Sequence, residues 1–178
     1  MARFIDYSAT LLPTSGVVQV DASGFDRSHA SKHYAKRAEF RIQQLRVTLL
    51  VDTKVNAIPD LHVTATRKHD SQIAPSLIKR NSANIDILLG TKATMTRKSD
   101  GLPVNTEAST HQVSGVHITS HGVERTLSPD LYGQRSQSET VNSTLKRKYG
   151  AFVRSQRWWK QSRELTIACL IRNIDRSL

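Results

Sequence analysis

Three short β-rich runs, a helix followed by a fourth run, and two helical stripes near the end predict an α/β protein for this 178-residue chain. The first run, Val17 to Asp21, follows the breaker pair Ser15-Gly16. Val47 to Asp52 is the second and His62 to Thr66, preceded by Pro59-Asp60, the third; their close spacing suggests a meander. Asp70 and Ser71 can cap a helix that tolerates Pro75 in its first turn and runs through Leu77 and Ile78 to Asn81. Ile85 to Leu89 then reads as a buried strand ended by Gly90. From Asp130 onward Val141, Leu145, Tyr149 and Phe152 fall on one helical stripe, and Ile167, Leu170, Ile171 and Ile174 on another. Gly150 is the expected break between these two helices.

Composition divides the chain into residues 1–90, 91–128 and 129–178. The middle part holds no Phe, Trp or Tyr, and twelve of its 38 residues are Ser or Thr, which leaves little apolar surface to offset ordering entropy. It is expected to be irregular. Charge is the other global signal: 26 Lys and Arg against 15 Asp and Glu give a net charge of +11, which favours a polyanionic partner, most often nucleic acid. The longest apolar run, Val47 to Val51 with Thr48 inside it, is far short of the roughly 18 residues of a membrane span. No membrane partner is expected. With one cysteine, Cys169, and no continuous apolar segment at the front, the chain reads as cytoplasmic.

Candidate chemistry is concentrated on the first late helix. Arg135, Glu139, Asn142 and Lys146 are spaced by four, three and four, which gives them one face, expected opposite the Val141/Leu145/Tyr149 stripe. A carboxylate between two cations suits a metal held beside a phosphate, although an ordinary solvated face with Arg–Glu pairing shows the same spacing. Further on, Lys146, Arg147, Lys148, Arg154, Arg157, Lys160 and Arg163 lie within 18 residues, interleaved with Tyr149, Phe152, Trp158 and Trp159. By helical phase Lys146 joins the Glu139 face, whereas Arg147, Arg154, Arg157 and Lys160 are placed to follow a phosphate backbone. Histidines lack a ligand pattern for zinc, and Cys169, on an apolar helix, reads as core packing.

Taken with Tyr132, the order is tyrosine, two residues, arginine, three residues, glutamate, six residues, lysine. This resembles the signature of DDE transposases from bacterial and archaeal insertion sequences. The surrounding Tyr132-Gly133-Gln134-Arg135-Ser136-Gln137-Ser138-Glu139, the tail with Trp158, Trp159 and Arg172-Asn173-Ile174, and the run Val17 to Phe25 are similar to the same family. The resemblance covers residues 1–90 and about 128–178. It implies a ribonuclease-H-like mixed sheet with flanking helices, Asp21 as an acid at the end of the first strand, and Glu139 as the acid of a late helix. Both would ligate Mg²⁺ or Mn²⁺, while Tyr132, Arg135 and Lys146 would position DNA at transposon ends. The implied partners are that DNA, further copies of the chain or an intact transposase, and the implied setting is the nucleoid of a prokaryote. Such chemistry uses two hard cations about 3.5–4 Å apart, bridged by carboxylates that converge from separate elements.

One position departs from the resemblance. Where the family has Gly-Asp-Lys-Gly-Tyr-Asp, this chain has Gly90-Thr91-Lys92-Ala93-Thr94-Met95, so the neutral Thr91 stands at the second acid. One choice of codons for the family's Asp-Lys-Gly-Tyr, GAC AAA GGC TAC, read from its second nucleotide becomes ACA AAG GCT ACG, which would encode the Thr-Lys-Ala-Thr of residues 91–94. A frame-shifted stretch from Thr91 to about residue 128 is therefore expected. Family members also carry a DNA-end-recognition region ahead of the first acid, and only twenty residues precede Asp21, so a truncated front is expected too. Asp86 and Asp100 are the nearest acids to a replacement, and Asp52 reads as a turn residue. The resulting expectation is an inactive catalytic-domain fragment; the alternatives are a non-catalytic DNA-binding remnant and a pseudogene product.

Overall fold

Burial on both sides of the first two strands produces a sheet with two different apolar faces. The structure is a computed structural model that describes residues 12, 14–27, 37, 43–66, 68, 70–89, 111–113, 116–119 and 134–178. Strand β1 (Val17–Asp26) pairs antiparallel with β2 (Gln44–Asp52), in register from Val18 opposite Asp52 to Asp26 opposite Gln44. β2 pairs antiparallel with β3 (Ala57–Thr64). On its other side β1 pairs in parallel with β4 (Ile87–Leu89), which is reached through helix α1 (Asp70–Asn81) and a short 3₁₀ turn at Ser82–Asn84. Two further strands, β5 (His111–Val113) and β6 (Val116–Thr119), complete a mixed sheet of order β3-β2-β1-β4-β6-β5. They are the described part of the stretch expected to be irregular. Helices α2 (Gln137–Tyr149) and α3 (Trp158–Ser177) follow.

The period of two sends Val18, Val20 and Leu50 to one face, where Ile73, Ala74, Leu77 and Ile78 of α1 pack with Leu88. Phe25, Leu45, Val47, Leu49 and Val51 point to the other face and meet Val141 and Leu145 of α2 and Leu165 and Cys169 of α3. The result is an α/β chain with helices on both sides of its sheet. Cys169 is core packing, as its apolar surroundings suggested.

Four local expectations need correction. Pro59-Asp60 lies inside β3 rather than ahead of it, because β3 begins at Ala57. The strand is the sheet's edge and carries one extra residue between the pairs Leu50–Asp60 and Asp52–Ala57, so Ile58 and Pro59 face a single partner. A bulged edge is where a proline, lacking an N–H, fits. Pro75 falls in the second turn of α1, on the exposed side where its missing N–H leaves little buried. Phe152 is past the end of α2, in an isolated bridge to Asp26. Gly150 does end that helix, at φ +98°, with its N–H on the Lys146 carbonyl.

The fourth correction concerns α3, whose isoleucine stripe does not face the core: Ile167 is 53% exposed, and Ile171 and Ile174 also lie outward. Its buried side carries Gln161, Leu165, Thr166, Cys169, Arg172 and Asn173 instead. The polar members have backbone to satisfy. Asn173 accepts from the Ile58 N–H and donates to the Ile58 carbonyl, both at 2.9 Å, which supplies partners to the bulged residue. Arg172 donates to the Asn56 carbonyl in the adjoining turn, where Asn56 has φ +56°.

Candidate functional site

Asp21 sits within β1, not at its end as expected, since the strand continues to Asp26. Its parallel neighbour β4 ends at Leu89, level with Gln19, so Asp21 stands just past the last described β4 pairing. That is the carboxyl end of the parallel strands, where open α/β sheets form crevices. Asp21 Oδ1 accepts the N–H of Ala22 at 2.8 Å, and Oδ2 accepts from Nδ2 of Asn142 on α2, also at 2.8 Å. The carboxylate is thereby held in one orientation from two sides.

Helix α2 runs alongside β1 and brings the remaining groups. Asn142 meets Asp21, and one turn on the Lys146 ammonium lies 5.5 Å from the centre of the Phe25 ring. At about 100° per residue, Asn142 falls between Leu145 and Lys146 around the helix. Asn142 is therefore buried, and the Glu139/Lys146 face adjoins the core stripe rather than opposing it. An open cavity of about 400 Å³ is lined by Asp21, Ala22, Ser23, Glu139, Asn142, Ser143, Lys146 and Arg147. Arg147 thus shares the cavity with Lys146, where helical phase alone separated them. The Oδ1 atom of Asn142 is buried with no hydrogen-bond partner, as are Oε1 of Gln19 and Oγ of Ser138. Gln19 is on the Asp21 side of β1 and Ser138 is one turn before Asn142.

Arg135 belongs to the 3₁₀ turn Gln134–Ser136 ahead of α2, not to the helix, and its side chain, like Tyr132 and Thr91, lies outside the described residues. The turn is anchored by Gln134, whose Oε1 accepts from the Thr53 hydroxyl at 2.8 Å. Arg154, Arg157 and Lys160 are exposed around the start of α3, outside the cavity lining. Glu164 accepts the N–H groups of Arg154 and Ser155 at 2.8 and 3.0 Å, which fixes this loop to α3. Burial opposes ionisation of Glu164, but these N–H bonds outweigh it and hold its carboxyl below the ordinary value.

The acids considered as replacements are not in reach. Asp86 lies beside Gly16, at the opposite end of β1: a Cβ on Gly16 would meet its Oδ2 at 2.0 Å, and its N–H bonds the Gly16 carbonyl. Five residues of strand, about 16 Å, separate Gly16 from Asp21. Asp52 is the turn residue expected, accepting from the Ser15 N–H and hydroxyl at 2.7 Å and from the Lys54 N–H at 3.1 Å. Asp100 lies outside the described residues. Among the described residues no group of three or more His, Cys, Asp or Glu side chains could hold a metal ion, and no helix is long and apolar enough to cross a membrane.

A family model described as a transposase DDE domain matches residues 12–174 of the chain. No curated protein matches it.

Proposed function

Because the chain belongs to the transposase DDE domain family, whose members use divalent metal ions, we propose that the cavity between β1 and α2 is a DNA-processing centre left with two acids. The observation that carries this reading is the meeting of Asp21, Glu139, Lys146 and Arg147 around one open cavity, from positions more than a hundred residues apart. Hard oxygen donors suit Mg²⁺ or Mn²⁺, and the donor set fits one such ion: the two carboxylates, with the partnerless amide oxygen of Asn142 beside them. When bound, such an ion polarises a phosphoryl oxygen and acidifies a coordinated water.

The chain's own groups have separate tasks in this reading. Asn142 fixes the Asp21 carboxylate, and Lys146 and Arg147 bind the non-bridging oxygens of a DNA phosphate at the cavity mouth. Tyr132 and Arg135 precede α2 and complete the transposon-end contacts implied by the signature. With Thr91 at the second-acid position, a paired-cation centre lacks its third carboxylate, because a neutral hydroxyl does not bridge two cations well. The domain is then ribonuclease-H-like in kind, binds transposon-end DNA, alone or with an intact transposase, and does not cut it. In this reading residues 1–90 and 129–178 form its two halves, on either side of a stretch read as frame-shifted.

Cleavage and mobility-shift assays on transposon-end DNA with Mg²⁺ or Mn²⁺ test this. DNA binding without cleavage is expected, together with a Mn²⁺ site, read by the paramagnetic resonance of free Mn²⁺, that Asp21→Ala and Glu139→Ala each remove. Cleavage abolished by Glu139→Ala would overturn the inactivity. Absence of DNA binding would overturn the whole reading.

A further inference from the structure

We propose that the start of α3 is a stacking site for unpaired nucleotides of single-stranded DNA, distinct from the cavity and resting on the DNA-processing reading above. Both tryptophans of the chain are there, at consecutive positions, and both are open to solvent: Trp158 is 43% and Trp159 47% exposed. Tryptophan is highly buried on average, so two exposed neighbours call for a partner with large flat apolar faces. The surrounding charge selects which partner. Lys160 places its ammonium 5.4 Å and Arg163 its guanidinium 4.9 Å from the Trp159 ring centre, and exposed Arg154 and Arg157 lie just upstream. An aromatic platform set among cations matches a strand that offers base faces and phosphates together.

Fixed backbone underlies the platform. Glu164 holds the N–H groups of Arg154 and Ser155, and Gln161 donates to the Ser155 carbonyl at 2.8 Å while accepting from Arg27 at 3.1 Å. The N–H groups of Lys160 and Gln161 both bond the Arg157 carbonyl at 3.0 Å. The rings therefore project from an anchored turn, and little backbone ordering is left to complete on binding. Arg27 also ties this turn to the end of β1, about 20 Å along the strand from Asp21. A strand leaving the cavity past Lys146 and Arg147 would reach it within a few nucleotides. Bases inside a duplex are already stacked on one another, so the site favours unpaired ones.

Because no tryptophan lies elsewhere, tryptophan emission, excited at the red edge where the four tyrosines do not absorb, reports this site alone. Titration of the full chain with oligothymidylate is expected to quench that emission, whereas a blunt duplex quenches little. Trp159→Ala is expected to weaken single-strand affinity about 5- to 150-fold, the range of one lost base stack. Trp159→Phe should restore most of it, and duplex affinity in a mobility shift should not change. Equal losses on both DNA forms would overturn the proposal, as would single-strand binding with unmoved emission, or an emission change that tracks protein concentration without DNA and so marks a protein interface. If both DNA forms bind and emission stays constant, only this site fails. If neither binds, the transposase reading fails with it.

Discussion

Replacing Asn173 tests how the last helix is attached to the sheet. Its side-chain amide gives the Ile58 backbone both an acceptor and a donor at 2.9 Å, and Asn173 and Ile58 are each fully buried. Asn173→Ala strands one N–H and one carbonyl where water does not reach. At about 1–3 kcal/mol for each orphaned group, part of which relaxation at the bulge recovers, the loss is about 3 kcal/mol. For a chain of this size that lowers the melting temperature by roughly 6–12 °C. Asn173→Asp has the same shape and separates hydrogen bonding from packing. Ionised, the new carboxylate accepts from the Ile58 N–H but directs its second oxygen at the Ile58 carbonyl, and a buried unpaired charge costs more than the alanine gap. Protonated, it donates to that carbonyl and restores both bonds. The folded form of the aspartate variant thus binds a proton more readily than the unfolded form, so its stability falls as pH rises through the carboxylate range. Thermal melts followed by circular dichroism at neutral and acid pH check this: the alanine deficit should be constant, and the aspartate deficit should shrink in acid. A drop under about 2 °C for the alanine variant, well below one such bond's worth, would refute the reasoning.

Two further outcomes follow from buried or tethered groups. Burial pushes the Cys169 thiol up to about 12, so in the folded protein at pH 8 it should react with a thiol reagent far more slowly than in denaturant, as a colorimetric thiol assay would show. The depressed carboxyl of Glu164 means that below its ordinary value of 4.5 the unfolded chain takes up the proton first. Its contribution to stability is complete above that value and is lost as pH falls through the folded-state one. Urea melts of Glu164→Gln should therefore show a deficit at neutral pH that narrows in acid.

Strand and helix existence was legible where a β-rich run became buried, as in β1 and β2, and where a helical apolar stripe met the core, as in α2. Glu139 stood out through its spacing from Arg135 and Lys146, Asp21 only through the family resemblance, and both line one cavity because α2 lies along β1. On α3 the same logic failed for an identifiable reason. The residues turned inward had to satisfy the bulge at Ile58 and the turn at Asn56, so amide and guanidinium groups took those positions and the isoleucines took the outer face. Hydrophobic periodicity marks an apolar stripe without saying which side of a helix the sheet needs. Pro59 misled in the same way, since a breaker signal does not distinguish a turn from a bulged edge. For Asn142, spacing gave the face and missed the burial, because its depth depends on how closely α2 approaches Asp21.

The pairing of β1 with α2 also governs when during synthesis the centre can exist. Asp21 emerges early from the ribosome, yet the amide that orients it arrives 121 residues later, and Glu139, Lys146 and Arg147 come with the same late helix. A nascent chain carrying β1 to β4 presents an acid with neither its orienting group nor its cations. The orienting amide, the second acid and the two cations of the cavity are thus gained in one late step, and a chain cut short before α2 lacks all of them.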